Sequence, residues 1–360
     1  MIINHMARTK YENLAAPACA GQQKGEFMSQ DVPVTRFNNP PFMYHAGMWA
    51  ERTASADCSR DHVLLLLAKR QFTKLDRLIL YSLGQYGYLN VYLIRRYAAM
   101  NGFRSANPSL IKERLSFLLK NGLLFRYEFF HTDPQTYAVN GSPFVYALSG
   151  GGWMFLKMSY KMHLLAKGIR GFYEFPDLKD QSRIAQILCL LSENQFAILF
   201  EDQYAGRIDM QADIKGVHSP DNAHRLEYRI HFPDGRKTMI FPVSIRQYAD
   251  WETICLRRLS DLSAYCKKQK VTSFSTLMIC ETSEHALVCE KLKQSHPEFA
   301  DMDVFYGLDH TIAGCPDALG RMLEIQRNGE YMTRNYFRLD LCCDTKPDTP
   351  KKKTKNSGKN

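Results

Sequence analysis

Two sets of side chains in this sequence have types and spacings suited to chemistry. The first lies in Asn107–Asn121 (NPSLIKERLSFLLKN), where Ser109, Lys112, Ser116 and Lys120 recur at intervals of three or four residues, with Glu113 beside them. On a helix that spacing gathers hydroxyls, two ammonium groups and a carboxylate on one face. Such a face can read DNA: lysines meet phosphates, hydroxyls reach phosphates or base edges, and Glu113 accepts from a cytosine amino group or holds a neighbouring arginine. Arg104, Ser105 and Asn107 at the helix entry, with Arg126 beyond its exit, would add backbone contacts.

The second set is a scatter of acids, Glu201, Asp202, Asp209, Asp213 and Glu227. A restriction-type nuclease places an Asp and an acid-x-Lys pair on adjacent strands, the carboxylates holding Mg²⁺ and the lysine positioning the attacking water. The strand expected to carry that pair reads Phe241-Pro242-Val243-Ser244-Ile245-Arg246-Gln247, without a carboxylate. The nearest substitute is Glu227-Tyr228-Arg229, and arginine stays protonated, so it is a poor proton-transfer group. Alternation puts Glu227 and Arg229 on one strand face, where a surface ion pair accounts for them. The expectation is a protein that is not an enzyme. The competing reading is a Mg²⁺-dependent nuclease using Asp209 or Asp213 with Glu227.

Other chemistries lack their residues. No Gly-x-x-x-x-Gly-Lys-Ser/Thr loop occurs, and no His-x-His set of the kind a relaxase uses. Gly150-Gly151-Gly152 follows a strand and opens a helix, which suits either a phosphate cradle or a flexible exit; the flexible exit is the expectation. The 10 cysteines are scattered, without a Cys-x-x-Cys pair or zinc-finger spacing. They read as reduced core thiols of a cytoplasmic protein, with neither metal nor cofactor. No apolar leader is legible at the N-terminus, and the longest wholly apolar run, Val63–Ala68, is far short of a membrane span, so no membrane partner is expected.

The 360 residues are 45% hydrophobic and carry a net charge of +10. That is enough apolar material for a sizeable core in two domains, and the basic excess favours a polyanion. The tail after Thr345, with six lysines against Asp348, supplies about half of that excess.

The elements that must position these residues follow from periodicity. Residues 1–60 are polar, with Pro33, Pro40 and Pro41, and read as disordered; Phe42, Met43, Tyr44 and Trp49 are the exceptions that could dock. Asp61–Arg70 fits a helix or a strand. Thr73 caps a helix ending at Gly84–Gly87, and Asn90 caps a second, with Leu89 and Ile94 as a staple. Asn107, Pro108 and Gly122 delimit the third, whose apolar stripe is Ile111, Leu115, Leu118 and Leu119. Leu123–Phe129 alternates as a strand, pairs with Phe144–Leu148, and leaves His131–Ser142 as a wing tip. Three helices and a hairpin make residues 61–170 a winged helix-turn-helix. Residues 171–330 read as a mixed-sheet α/β domain: a helix over Asp180–Gln195, strands at Phe196–Glu201 and Arg207–Ile214, a hairpin turning at Pro233–Arg236, then a helix over Glu252–Lys268, a strand at Phe274–Cys280, a helix capped by Ser283, a strand at Val304–Tyr306 and a last helix over Asp317–Arg327. Residues 331–360 form a basic disordered tail.

Three stretches, Thr73–Gly87 (TKLDRLILYSLGQYG), Leu110–Arg126 (LIKERLSFLLKNGLLFR) and Val145–Leu156 (VYALSGGGWMFL), resemble the replication-relaxation proteins of plasmids and conjugative elements. The resemblance spans about Thr73–Arg327. It implies a winged-helix, DNA-binding accessory protein for replication, relaxation or transfer, working with double-stranded DNA and other replication or transfer proteins. It also implies a C-terminal half similar in layout to restriction endonucleases, here without the intact motif. A winged-helix transcriptional regulator is the alternative.

Overall fold

The computed structural model describes residues 43–44, 47–53, 58–103, 108–130, 144–160, 179–204, 209–212, 228–231, 239–268, 270–271, 274–314, 322–325 and 331–334. The expected disorder before residue 43, the wing tip and the basic tail after residue 334 fall outside these residues, whereas Tyr331–Arg334, expected as the start of that disordered tail, is a strand paired with Met322–Ile325. The fold is mixed α and β, built on two sheets. No helix among the described residues is long and apolar enough to cross a membrane.

The first part contains strand β1 (Trp49–Thr53), helices α1 (Arg60–Ala68) and α2 (Lys74–Tyr86), strand β2 (Tyr88–Asn90), helices α3 (Val91–Met100) and α4 (Pro108–Lys120), strands β3 (Leu124–Phe130) and β4 (Val145–Leu148), and helix α5 (Gly150–Tyr160). The four strands form one antiparallel sheet in the order β1-β3-β4-β2. Thr73 accepts from the Asp76 backbone N–H at the start of α2, and Asn90 accepts from Leu93 N–H at the start of α3. Gly87 closes α2 at φ 78, a backbone conformation that glycine adopts without strain. Leu75, Ile79, Leu80 and Leu83 of α2 pack with Leu93 and Ile94 of α3 and with Ile111, Leu115 and Leu118 of α4. Each such fully buried aliphatic side chain contributes about 1.5–3 kcal/mol, so this shared core fixes the helices' mutual orientation.

The second part begins with helix α6 (Gln181–Tyr204) and continues through β5 (Asp209–Ala212), β6 (Tyr228–His231), β7 (Met239–Ser244), α7 (Trp251–Lys268), β8 (Phe274–Cys280), α8 (Ser283–Gln294), β9 (Val304–Leu308), α9 (Asp309–Gly314), β10 (Met322–Ile325) and β11 (Tyr331–Arg334). Its sheet runs β11-β10-β9-β8-β7-β6-β5. Strands β7, β8 and β9 are parallel, with α7 and α8 as crossovers, and the flanking strands are antiparallel. Helix α6 joins the two parts. Its Ile184, Ile187, Leu188 and Leu191 belong to the first core, while Glu193 accepts from the Ser244 N–H on β7.

Several elements differ from the expectation. Trp49–Thr53 is a paired strand rather than part of a disordered segment. Met48 and Ala50 are buried, and Trp49 stacks on Phe130 at 5.5 Å, which five residues of sequence do not announce. Asp61–Arg70 resolves to a helix, and β2 is a strand where only a staple was expected. Phe196–Glu201 is helix, not strand. Ser192, Glu193, Asn194 and Gln195 look like a polar terminus but are buried with partners, so α6 runs on through them. Thr282, not Ser283, caps α8. Met322–Ile325 pairs with β9 and β11 as a strand instead of continuing a helix.

Candidate nucleic-acid interface

Helix α4 separates its residues as the spacing predicts. Ile111, Leu115 and Leu118 are buried, and Leu119 is half-buried against the same core. Ser109, Lys112, Glu113, Ser116 and Lys120 are all exposed. Leu110, 40% exposed at the head of the helix, adds an apolar group suited to a thymine methyl. Arg104, Ser105 and Asn107 lie outside the described residues. Arg126 is half-buried within β3, opposite Thr53 on one side and Tyr146 on the other, with its guanidinium over the Phe144 ring at 4.2 Å. It is therefore a sheet residue, not one at the tip of a wing.

What holds α4 in place was only half legible. Asp76 is fully buried and closes a capping box with Thr73. The same carboxylate accepts two hydrogen bonds from Arg114 of α4, Nε to Oδ1 at 2.8 Å and Nη2 to Oδ2 at 2.6 Å. A bidentate pair of this kind fixes orientation as well as distance. Arg114 also reaches the Gln71 carbonyl at 3.4 Å and lies over Phe117. The first turn of α2 is thus tied to the middle of α4. The segment it grips carries Lys69, Arg70, Lys74 and Arg77, all exposed. These four cations were missed because their basic character shows in sequence but their nearness to α4 depends on Arg114.

The far end of α4 is equally fixed. Asn121 donates to the Phe117 carbonyl at 2.8 Å, and its Oδ1 accepts from the His62 Nε2 at 3.1 Å, tying in α1. Ser149 donates to the Gly122 carbonyl at 2.5 Å and caps α5 through the Gly152 N–H. A Cβ on Gly152 would stand 2.2 Å from the Leu123 carbonyl, and one on Gly151 would stand 2.8 Å from that of Gly122. Gly151 and Gly152 therefore make a close-packed helix start rather than a flexible exit, while Gly150 faces open space.

The acids of the second set scatter. Glu201 sits on α6 and accepts from the Tyr86 hydroxyl at 3.5 Å. Asp202 pairs with Arg96 of α3 at 3.3 Å. Asp209 occupies β5 in register with His231. Asp213 and Glu227 lie outside the described residues.

A different group of charges converges at the carboxyl ends of β7, β8 and β9, the edge where open α/β sheets bind ligands. Arg246, fully buried, donates to Asp309 at 2.6 Å and to the Ile245 carbonyl at 2.7 Å; Ser192 also donates to Asp309. Glu193 accepts from Ser244 N–H at 2.9 Å and from Arg258 at 3.3 Å. Glu281 accepts from the backbone N–H groups of Tyr44 and Gln247. Burial holds the Glu281 carboxyl above its ordinary value, outweighing the downward pull of Arg246. Each of these three carboxylates is engaged by internal donors. Asn194 binds the Tyr86 and Tyr88 carbonyls at 2.9 and 2.8 Å, joining this region to the first sheet. Among the described residues, one cluster has a metal-ligating composition: Cys280, His285 and Cys289, all buried.

Comparison with protein-family models, with curated proteins and with solved structures finds no match to this chain.

Proposed function

We propose that this chain binds double-stranded DNA through the exposed face of α4, as a winged helix-turn-helix, and serves the replication, relaxation or transfer of a mobile element without cutting DNA itself. The observation that carries this reading is the division of α4. Ser109, Lys112, Ser116 and Lys120 face solvent together, while Ile111, Leu115 and Leu118 anchor the helix. The order helix, short strand, helix, helix, strand, strand supports it, because β2 pairs with β4 beside the β3–β4 hairpin. In this reading α3 lies across the phosphate backbone and α4 enters the major groove. Lys69, Arg70, Lys74 and Arg77 flank it as phosphate contacts.

The order α6-β5-β6-β7-α7-β8 supports a nuclease-like layout for the second half. The non-cutting reading draws support from β7, whose residues supply no carboxylate, and from Glu193, Glu281 and Asp309, which are taken up by internal partners. This half would serve assembly with other replication or transfer proteins.

Lys112→Ala combined with Lys120→Ala tests the assignment. Fluorescence anisotropy on duplex DNA across a salt series should show weaker binding and a log–log salt slope shallower by about 0.9 per lost phosphate contact. Stability should stay within about 0.5 kcal/mol of the parent, because both side chains are exposed. Unchanged DNA affinity and slope in the double variant would overturn the proposal.

A further inference from the structure

We propose that Cys280, His285 and Cys289, with Cys255 as the neighbouring fourth ligand, form an internal site for a thiolate-seeking divalent cation, zinc in the first instance. Three elements converge to build it. Cys280 ends β8, His285 and Cys289 stand one helical turn apart on α8, and Cys255 lies on the buried face of α7. The ligand atoms of Cys280, His285 and Cys289 all lie within 4.8 Å of one another. A tetrahedral zinc with Zn–S bonds of about 2.3 Å needs sulfur–sulfur separations of about 3.8 Å, so rotations that move these atoms by about 1 Å close the site. Cys255 is buried in the same core cluster as Cys280 and Cys289, on the helix that faces them, which brings the fourth sulfur to the edge of the set.

The histidine supplies an independent sign. His285 is fully buried, and its Nε2 has no hydrogen-bond partner. A buried ring nitrogen left unpaired is destabilising, a deficit that a ligand would remove. Its Nδ1 accepts from the Glu281 backbone N–H at 3.4 Å, with the Glu281 carboxylate at 3.7 Å. Ligation through Nε2 moves the ring proton to Nδ1 and turns it toward that carboxylate, the partner that orients metal-ligating histidines. Thr282 fixes the first turn of α8 by accepting from the His285 N–H at 3.1 Å, and Trp251 packs edge-on to the ring at 4.8 Å.

The donor set selects the ion. Three sulfurs and an imidazole suit zinc and disfavour magnesium and calcium, which take oxygen ligands. On binding, the three thiols release their protons to solvent, and the resulting site carries one net negative charge. Two guanidiniums offset it, the fully buried Arg246 acting on Cys280 and the half-buried Arg258 on Cys255. The spacing Cys-x-x-x-x-His-x-x-x-Cys resembles no zinc-finger pattern, and Cys255 is remote in sequence.

The test uses the full chain, purified reduced and chelator-treated, and titrated with Co²⁺. The expected result is one Co²⁺ per chain, with thiolate-to-cobalt charge-transfer absorption and the intense visible bands of a tetrahedral site. Stoichiometric Zn²⁺ should abolish both and raise Tm. Cys289→Ala should lose the spectrum, whereas Cys189→Ala, a buried cysteine outside the cluster, should keep it. Absence of thiolate–cobalt absorption in the parent chain overturns the proposal. So does a spectrum that survives Cys289→Ala, or a parent chain that accepts no Co²⁺ because two of these cysteines form a disulfide. Because the parent chain's own spectrum decides, a Cys289 variant that fails to fold leaves the test intact.

Discussion

Helix α4 and the edge formed by β7, β8 and β9 use charge in opposite ways. On α4 Lys112, Glu113 and Lys120 are solvated and lie on a scaffold of buried aliphatic residues, so they remain open to a partner. At the sheet edge Arg246, Asp309, Glu193 and Glu281 are withdrawn from water and held by one another, by the half-buried Arg258 or by backbone groups. A solvated charge costs little to maintain, whereas a buried one is tolerated only while its partner stays. The comparison teaches that charge alone does not mark a functional surface. The same residue types stay open to solvent where they are exposed and serve internal cohesion where they are not.

Three ion pairs of graded burial sharpen that comparison. The largest effect belongs to Arg246–Asp309, whose side chains are 0% and 2% exposed. Asp309→Ala strands the guanidinium and should cost about 3–5 kcal/mol in urea unfolding, while Asp309→Leu combined with Arg246→Met should restore most of it. A loss below about 1 kcal/mol for the single variant would mean that the edge is wet.

Next comes Asp76–Arg114, where only the arginine reaches solvent, at 14% exposure. Asp76→Ala removes the capping box and the bidentate pair together and should cost about 2–3 kcal/mol. It should also weaken DNA binding, although Asp76 is buried away from any ligand, because α4 loses its tie to α2. Full DNA affinity in a folded Asp76→Ala chain would separate the pair from the positioning of α4.

The smallest effect is expected at Arg96–Asp202, with exposures of 45% and 32%. Arg96→Ala should change stability by no more than about 1 kcal/mol, and less at high salt. A larger loss would show that the contact between α3 and α6 depends on this pair.

The α4 stripe, the Thr73 and Asn90 caps and the β3–β4 pairing were legible because each rests on local periodicity or on a side chain reaching its own backbone. Strand β1 and the full length of α6 were not. Trp49–Thr53 becomes a strand only because β3 offers an edge, and Ser192–Gln195 remain helical only because Asp309, Ser244, Tyr86 and Tyr88 accept or donate across the structure. Met322–Ile325 was misread for the same reason, since its pairing partners lie on β9 and β11.

The sequence by itself determined that one helix would present Ser109, Lys112, Glu113, Ser116 and Lys120 together, because a 3.6-residue period converts spacing directly into a face. It likewise determined that β7 would carry no acid. Only the tertiary structure decided that Arg114 would lock onto Asp76 and that Gly151 and Gly152 would serve close packing. It alone brought Cys255 and Cys280 to the one helical face that holds His285 and Cys289. These are meetings between segments distant in the chain. No local period encodes them, because they are set by how the helices and strands pack to bury their apolar faces.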